Sequence, residues 1–177
     1  MANQILVTYA TRYGSTQEVA EAIAATLREG RLEVDIQPMR NVQTLQGYSA
    51  VVLGAPLYIG RWHKDAHDFL SAHREALVLR SVAIFALGPI GTDEKEMQGS
   101  RAQLDHELAK YPWLKPAALE VFVGRYDPAK LSFTHRLLTV VPASPLHGLA
   151  AADHRDWDAI RAWAGKLPGQ LQPSPAS

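Results

Sequence analysis

The 177-residue chain contains no cysteine, although 47% of its residues are hydrophobic. Without thiols there can be no disulfides, thiolate nucleophiles, thiolate metal sites or cysteine-held iron–sulfur clusters. Any redox chemistry would therefore depend on a bound organic cofactor. The apolar content is sufficient to fill one sizeable core in a chain of this length.

An excess of charge and long apolar runs are also absent. Eighteen lysines and arginines balance eighteen aspartates and glutamates, for a formal net charge of +0, so the whole-protein field attracts neither nucleic acid nor an anionic membrane. No window approaches the roughly 18 apolar residues that span a bilayer, and the N-terminus lacks a basic segment followed by a signal core. We therefore expect a soluble cytoplasmic protein that binds no nucleic acid and makes at most peripheral membrane contact.

The sequence offers little support for a metal site. His63, His67 and Asp68 are spaced to share one helical face, but no third ligand pattern accompanies them, and the first turn of a helix is commonly solvated. We predict no bound metal.

Five strand-sized apolar runs alternate with segments of helical periodicity. The strands are predicted at residues 4–9, 32–39, 50–55, 81–87 and 119–123, and the helices at 15–29, 65–77, 99–110 and 155–167. This alternation predicts an α/β fold, a doubly wound sandwich whose five-stranded parallel sheet carries helices on both faces. The run 32–39 alternates apolar with polar residues, which favours an edge strand.

A single domain is predicted over residues 1–167, with an insertion at 125–153 between the fifth strand and the last helix. The insertion far exceeds the usual connection of about 2–6 residues. It could cap the fold and bury its own apolar side chains, cover the site or dock a partner, or touch a membrane surface. Residues 168–177 contain three prolines and no apolar pattern, which indicates a loose, disordered tail.

The first strand ends in the loop T-R-Y-G-S-T, residues 11–16. Ligands of open parallel sheets bind beyond the carboxyl ends of the strands, and unpaired amides at the start of a helix favour an anion. Three hydroxyls and Gly14 therefore suggest a phosphate site. The chain has neither G-x-x-x-x-G-K-[ST] nor G-x-G-x-x-G, which leaves a terminal monophosphate. The alternative is a plain turn in which Ser15 or Thr16 caps the helix.

The spacing T-x-x-G-S-T resembles the [ST]-x-T-G-x-T phosphate loop of flavodoxins, which holds the phosphate of FMN. Tyr13 stands where flavodoxins usually carry threonine, and Arg12 adds a cation that their loop lacks. The resemblance implies a flavodoxin-like strand order of 2-1-3-4-5 and FMN as the cofactor. It assigns cofactor binding to Thr11, Arg12, Tyr13, Gly14, Ser15 and Thr16.

The loops after the third and fourth strands, G-A-P-L-Y-I-G-R-W-H and A-L-G-P-I-G, would lie at the same edge. A flavin ring needs flat partners, so we expect Tyr58 or Trp62 to contact it; the alternative is that either one packs on the following helix. The predicted ring-binding residues are Pro56, Leu57, Tyr58, Ile59, Gly60, Trp62, Leu87, Gly88 and Pro89.

An insertion after the fifth strand, followed by D-[YH]-x-D-W, resembles the menaquinone-dependent protoporphyrinogen oxidase group and its flavodoxin-domain relatives. Here the motif reads Asp153, His154, Arg155, Asp156 and Trp157. The resemblance implies an FMN-dependent oxidoreductase that passes electrons from a reduced organic substrate, with protoporphyrinogen as a candidate, to a quinone-type acceptor. No side chain stands out as an acid or base, so no catalytic residue is assigned.

Two other functions stay open at this point. A flavodoxin-type one-electron carrier would share the fold, but such carriers are strongly acidic, whereas this chain has a formal net charge of +0. The other is a flavodoxin-like scaffold that no longer binds FMN. It stays open because Tyr13 differs from the threonine that the flavodoxin phosphate loop usually has.

Overall fold

A computed structural model of the chain describes residues 4–58, 60–126, 140, 142–143 and 151–172. The strands are β1 (Gln4–Tyr9), β2 (Glu33–Pro38), β3 (Tyr48–Tyr58), β4 (Arg61–Trp62), β5 (Ser81–Leu87), β6 (Ala118–Phe122), β7 (Arg125–Tyr126) and β8 (Ala152–Asp153). The helices are α1 (Ser15–Glu29), α2 (Lys64–Ala72), α3 (Arg74–Val78), α4 (Glu94–Leu108) and α5 (Trp157–Gln170), and Met39–Asn41 forms a 3-10 turn.

Five strands pair in parallel in the order β2-β1-β3-β5-β6. This is the predicted 2-1-3-4-5 order, and β2 is an edge strand as predicted. Tyr9, the last residue of β1, lies opposite Pro38 on one side and Gly54 on the other. Because parallel strands end at the same edge, the loops after β1, β3 and β5 meet at the carboxyl edge of the sheet.

The core lies on both faces of the sheet because alternate residues of each buried strand point in opposite directions. Ile5 and Val7 pack on one face with side chains from α1 and α5. Leu6, between them in sequence, packs on the other face with side chains from α2 and α4. Strands buried on both faces explain why the sequence shows continuous apolar runs.

The predicted helices after α1 all differ from their predicted bounds. The segment predicted as one helix over 65–77 is two helices, which meet at His73. Helix α4 begins at Glu94 rather than at residue 99, because the Asp93 side chain accepts a hydrogen bond from the Lys95 N–H and caps the helix.

The predicted tail begins too early. Helix α5 continues through Pro168 to Gln170, and Leu171 beyond it is 7% exposed. Pro168 lies inside the helix and cannot donate the usual hydrogen bond to the carbonyl four residues earlier. Burial of Leu167 and Leu171 on the same side of the helix offsets this loss and holds the last turn in place. Residues 173–177 lie outside the described part of the chain.

Both ends of the predicted insertion pair with each other. Arg125 in β7 lies opposite Asp153 in β8, in an antiparallel pair that is separate from the main sheet. Most of the predicted insertion, residues 127–139, 141 and 144–150, lies outside the described residues. Across the described residues, none of the helices has the length and apolar content needed to cross a membrane.

Candidate functional site

Helix α1 starts without a side-chain cap. Gly14 is its N-cap residue, at φ +88°, and no side chain accepts a hydrogen bond from the first turn at this cap. The Gly14 N–H instead donates to Thr11 Oγ1 at 2.9 Å. The alternative in which Ser15 or Thr16 caps the helix is therefore wrong. The positive φ suits glycine, and the first amides of the helix keep their capacity to bind an anion.

Thr16 is fully buried, and its Oγ1 has no hydrogen-bond partner in the described structure. Burying a hydroxyl without a partner costs about 1–3 kcal/mol. A phosphate oxygen at the start of α1 would supply the missing acceptor beside the helix amides. This part of the predicted loop therefore suits a phosphate both in shape and in its hydrogen-bonding groups.

The first turn of α1 is tied to the motif before α5 by Arg155, whose side chain is 2% exposed. Its guanidinium donates to both Asp153 oxygens, at 2.6 and 2.8 Å, and to the Ser15 carbonyl at 3.2 Å, and it pairs with Glu18 at 2.6 Å. Hydrogen bonds from Arg155 lower the pKa of Asp153. Arg155 thus fixes the helix start, a role that the sequence did not predict.

One signal of this contact was present in the motif itself. In this chain the x of the D-[YH]-x-D-W pattern is Arg155, which places a cation between Asp153 and Asp156. The two residues after Arg155 also have structural roles. Asp156 caps α5 by accepting a hydrogen bond from the Ala159 N–H at 2.9 Å, and the Arg155 guanidinium lies 4.6 Å from the centre of the Trp157 ring.

Arg12, Tyr13 and Tyr58 come together at the carboxyl edge. The Arg12 guanidinium lies over both rings, 5.5 Å from the centre of Tyr58 and 5.9 Å from that of Tyr13. The two rings meet edge to face with centres 6.3 Å apart. Arg12 and Tyr13 are the two residues that depart from the flavodoxin pattern. Through their contacts with Tyr58 they link the predicted phosphate loop to the end of β3.

Tyr58 and Trp62 have different positions, although both were candidates for a flavin contact. β3 turns back into β4, with Tyr58 opposite Arg61 and Leu57 opposite Trp62. The turn uses Gly60 at φ +74°, while Ile59 lies outside the described residues. Trp62 is 3% exposed, and its indole N–H donates to the Ala55 carbonyl at 3.2 Å. Trp62 therefore packs in the core, which agrees with the alternative in which this side chain packs within the fold instead of contacting a flavin.

The loop after β5 already uses some of its main-chain groups within the fold. Leu87 is buried in the core, and the Gly88 N–H already donates to the Phe122 carbonyl at 2.8 Å. The Pro89 carbonyl accepts from the Gly124 N–H at 2.8 Å. A Cβ on Gly88 would lie 2.8 Å from a Val121 methyl carbon. Gly88 is thus needed for packing, and its amide is not available to a ligand.

The three residues considered for a metal site have separate partners. His67 Nε2 lies 2.8 Å from Glu107 Oε2, and its Nδ1 lies 2.5 Å from the Tyr111 hydroxyl. Asp68 pairs with Lys64, whereas His63 caps α2 by accepting from the Asp65 N–H. Burial opposes the ionisation of Glu107, but the Lys110 and His67 contacts outweigh it and hold the pKa of that carboxyl below its usual range.

Comparison with known proteins gives a family and relatives of similar length. The family model described as "Flavodoxin domain" matches residues 6–143. Protoporphyrinogen IX dehydrogenase [quinone] of Escherichia coli is 30% identical over 169 residues, which cover 92% of this chain and 93% of that protein.

Solved structures support the same fold. Oxidised flavodoxin 1 from Bacillus cereus has a TM-score of 0.57 at 18% identity, covering 96% of this chain and 99% of its own. A flavodoxin from Streptococcus pneumoniae has a TM-score of 0.57 at 15% identity, covering 95% and 99%. The family match extends over more than half of the chain and the parallel sheet has the predicted order, so the chain belongs to the flavodoxin domain family.

Proposed function

We propose that this protein is an FMN-dependent oxidoreductase that passes electrons from a reduced organic substrate to a quinone-type acceptor. The observation that carries the FMN assignment is the buried Thr16 hydroxyl without a partner, beside the uncapped start of α1. The relative named for protoporphyrinogen and quinone supports the reaction class and makes protoporphyrinogen the first substrate to test.

In this proposal the chain binds and orients the cofactor at the carboxyl edge. The α1 amides and the Thr16 hydroxyl hold the phosphate, and Thr11 shapes the loop through its bond to Gly14. Tyr58 offers a flat surface for the ring, together with the main chain at Pro56, Leu57 and Gly60. FMN supplies the chemistry by accepting two electrons and releasing them to a second substrate. We assign no catalytic acid or base.

Replacing Thr16 with valine tests the phosphate contact. Valine keeps the shape but removes the hydroxyl, so FMN should bind roughly tenfold or more weakly, the usual loss for a hydrogen bond to a charged group. Riboflavin lacks the phosphate, so its affinity should be unchanged. Because the buried hydroxyl has no partner among the described residues, its removal also relieves a desolvation cost, so without flavin the variant should keep or raise its free energy of unfolding. Flavin fluorescence and urea unfolding measure these quantities.

Thr8 provides a matched control. It is also fully buried, but its Oγ1 donates to the Gln37 carbonyl at 2.9 Å. Thr8→Val should lower the free energy of unfolding by about 1 kcal/mol and leave the FMN affinity unchanged. Equal FMN affinity of the wild type and Thr16→Val would contradict the phosphate site. Protein that stays colourless after incubation with FMN would contradict the proposed function as a whole.

A one-electron carrier is the second candidate, because the chain belongs to the flavodoxin domain family. A redox titration of the FMN-loaded protein separates the two. Two well-separated one-electron steps favour the carrier, whereas a single two-electron step favours the oxidoreductase. Turnover of protoporphyrinogen with a quinone then tests the named substrate and acceptor directly.

A further inference from the structure

The described arginines divide into two groups by their partners. Most of them contact a carboxylate, a main-chain carbonyl or a tryptophan ring: Arg28, Arg74, Arg80, Arg101, Arg125, Arg155 and Arg161. Within the described residues, Arg12, Arg31, Arg40 and Arg61 have no carboxylate or carbonyl partner. Arg31 lies at the amino edge of the sheet, before β2. The other three follow β1, β2 and β3 at the carboxyl edge, where the cofactor is proposed to bind.

Arg12 is exposed, and its guanidinium carbon lies over the two tyrosine rings. An aromatic ring offers the cation no carboxylate or carbonyl oxygen, so the N–H donors can still bind an anion. A guanidinium can donate two parallel hydrogen bonds to one carboxylate. The arrangement therefore suits a second anion beside the ring surface of Tyr58.

Arg40 lies in the 3-10 turn directly after β2, and β2 ends beside β1, with Pro38 opposite Tyr9. That turn contacts α2, whose N-cap residue is His63. Burial chiefly lowers the pKa of His63, and the charges of Arg12 and Arg40 lower it further, against the opposing effect of Asp65. The Asp65 carboxylate lies 4.0 Å from His63 Nδ1. The positive charges of Arg12 and Arg40 therefore both reach His63, although the whole chain has a formal net charge of +0.

We propose that Arg12 and Arg40 form a binding site for a carboxylate of the organic substrate, so that this protein selects anionic substrates. The inference rests on the proposed function, because it places the substrate beside the cofactor ring. The phosphate of FMN has its own partners in the α1 amides and the Thr16 hydroxyl. Within the described part of the chain neither guanidinium has a carboxylate partner, so the two arginines can bind a second anion, the carboxylate of a substrate that lies beside the cofactor ring.

The experiment compares a dicarboxylate with its neutral ester. Binding of protoporphyrin IX and of its dimethyl ester to the full-length, FMN-loaded protein is measured by porphyrin fluorescence. Arg40→Gln and Arg12→Gln should each weaken binding of the acid roughly tenfold, as expected for the loss of a charge-assisted hydrogen bond. Binding of the ester should be the same in all proteins. Arg31→Gln is the matched control. It removes an exposed arginine at the opposite edge of the sheet, which also has no carboxylate partner among the described residues. This variant should bind the acid like the wild type.

Arg40 and Arg12 are exposed, so both variants should fold, and circular dichroism verifies this. Equal affinity of the wild type and the two variants for the acid would overturn the proposal, as would failure of the wild type to bind it. FMN retention is scored by absorbance in the same samples. Colourless protein means that the proposed function has failed, whereas coloured protein with no arginine effect means that only the carboxylate site has failed.

Discussion

At the scale of single residues, Gly54 shows how closely the strand ends are packed. It pairs with Tyr9 across β1 and β3, and its carbonyl accepts from the Ala10 N–H at 2.9 Å. A Cβ at this position would overlap Cζ of the fully buried Phe85 ring. The sequence marked this glycine only as the start of a loop, because the ring that covers it belongs to a different strand, β5.

Gly54→Ala should therefore destabilise the protein by about 1–3 kcal/mol or more, because the buried ring has no room to move. Urea unfolding measures the loss. Gly99 is the matched control, since it lies inside α4, where an added Cβ would meet no atom within 4 Å. Gly99→Ala should stabilise the protein by about 0.5–1 kcal/mol. Equal stability of the wild type and Gly54→Ala would show that Phe85 can rearrange.

At the scale of elements, α1 and α5 are joined by an ion-pair network as well as by apolar contacts. Arg155 lies just before α5 and reaches the Ser15 carbonyl, 140 positions earlier in the chain. Sequence periodicity predicted α1 over residues 15–29, and the structure has the same bounds. It could not predict Arg155 as a link, because no local pattern reports a contact between opposite ends of a chain.

Asp153→Asn tests this network through its pH dependence. The folded-state pKa of Asp153 is lowered, chiefly by hydrogen bonds from Arg155, so the carboxylate stabilises the protein above its unfolded pKa of about 3.9. That contribution is lost as the pH falls through the lower, folded pKa. At pH 7 the variant should lose about 1 kcal/mol of unfolding free energy, a modest value because the Asp153 side chain is 40% exposed.

The difference between the wild type and Asp153→Asn should shrink as the pH drops below about 4. Urea unfolding at several pH values measures it. Asp158→Asn is the control, because that carboxylate is 96% exposed and pairs with Arg161 within one helix. It should change stability by less than about 0.5 kcal/mol at any pH. A constant Asp153→Asn difference down to the acid limit would contradict the network.

At the scale of the whole molecule, the proposed cofactor binding should stabilise the fold. A ligand that binds only the folded protein at 100 times its Kd adds about 2.7 kcal/mol to the free energy of unfolding. For a domain of 177 residues, such a gain corresponds to a rise in Tm of roughly 5–10 °C. The two segments that are proposed to hold FMN follow separate strands, β1 and β3, so the cofactor would join parts of the chain that are distant in the sequence.

FMN at 100 times its Kd should therefore raise the Tm by roughly 5–10 °C. Riboflavin at the same concentration should give a smaller rise, because it lacks the phosphate that α1 and Thr16 are proposed to hold. Differential scanning calorimetry measures both shifts. Equal shifts with the two flavins would place the binding energy in the ring contacts alone, and no shift with either would contradict flavin binding.

The fold class and the position of the predicted phosphate loop followed from the sequence without the structure. Both depend on local information. Apolar runs separated by helical stripes predict a parallel sheet covered on both faces, and hydroxyls with a glycine before a helix indicate an anion site wherever the sheet places them. The order of the strands followed from the resemblance and was confirmed by the structure.

Which side chains face the site depends instead on the folded arrangement. Tyr58 and Trp62 have similar chemistry and lie four positions apart, but the turn at Gly60 buries Trp62 while Tyr58 meets Arg12. Arg40 and Arg12 follow β2 and β1, which end side by side in the sheet. Such contacts depend on how distant segments pack, since burial and charge pairing are properties of the assembled fold rather than of any local stretch.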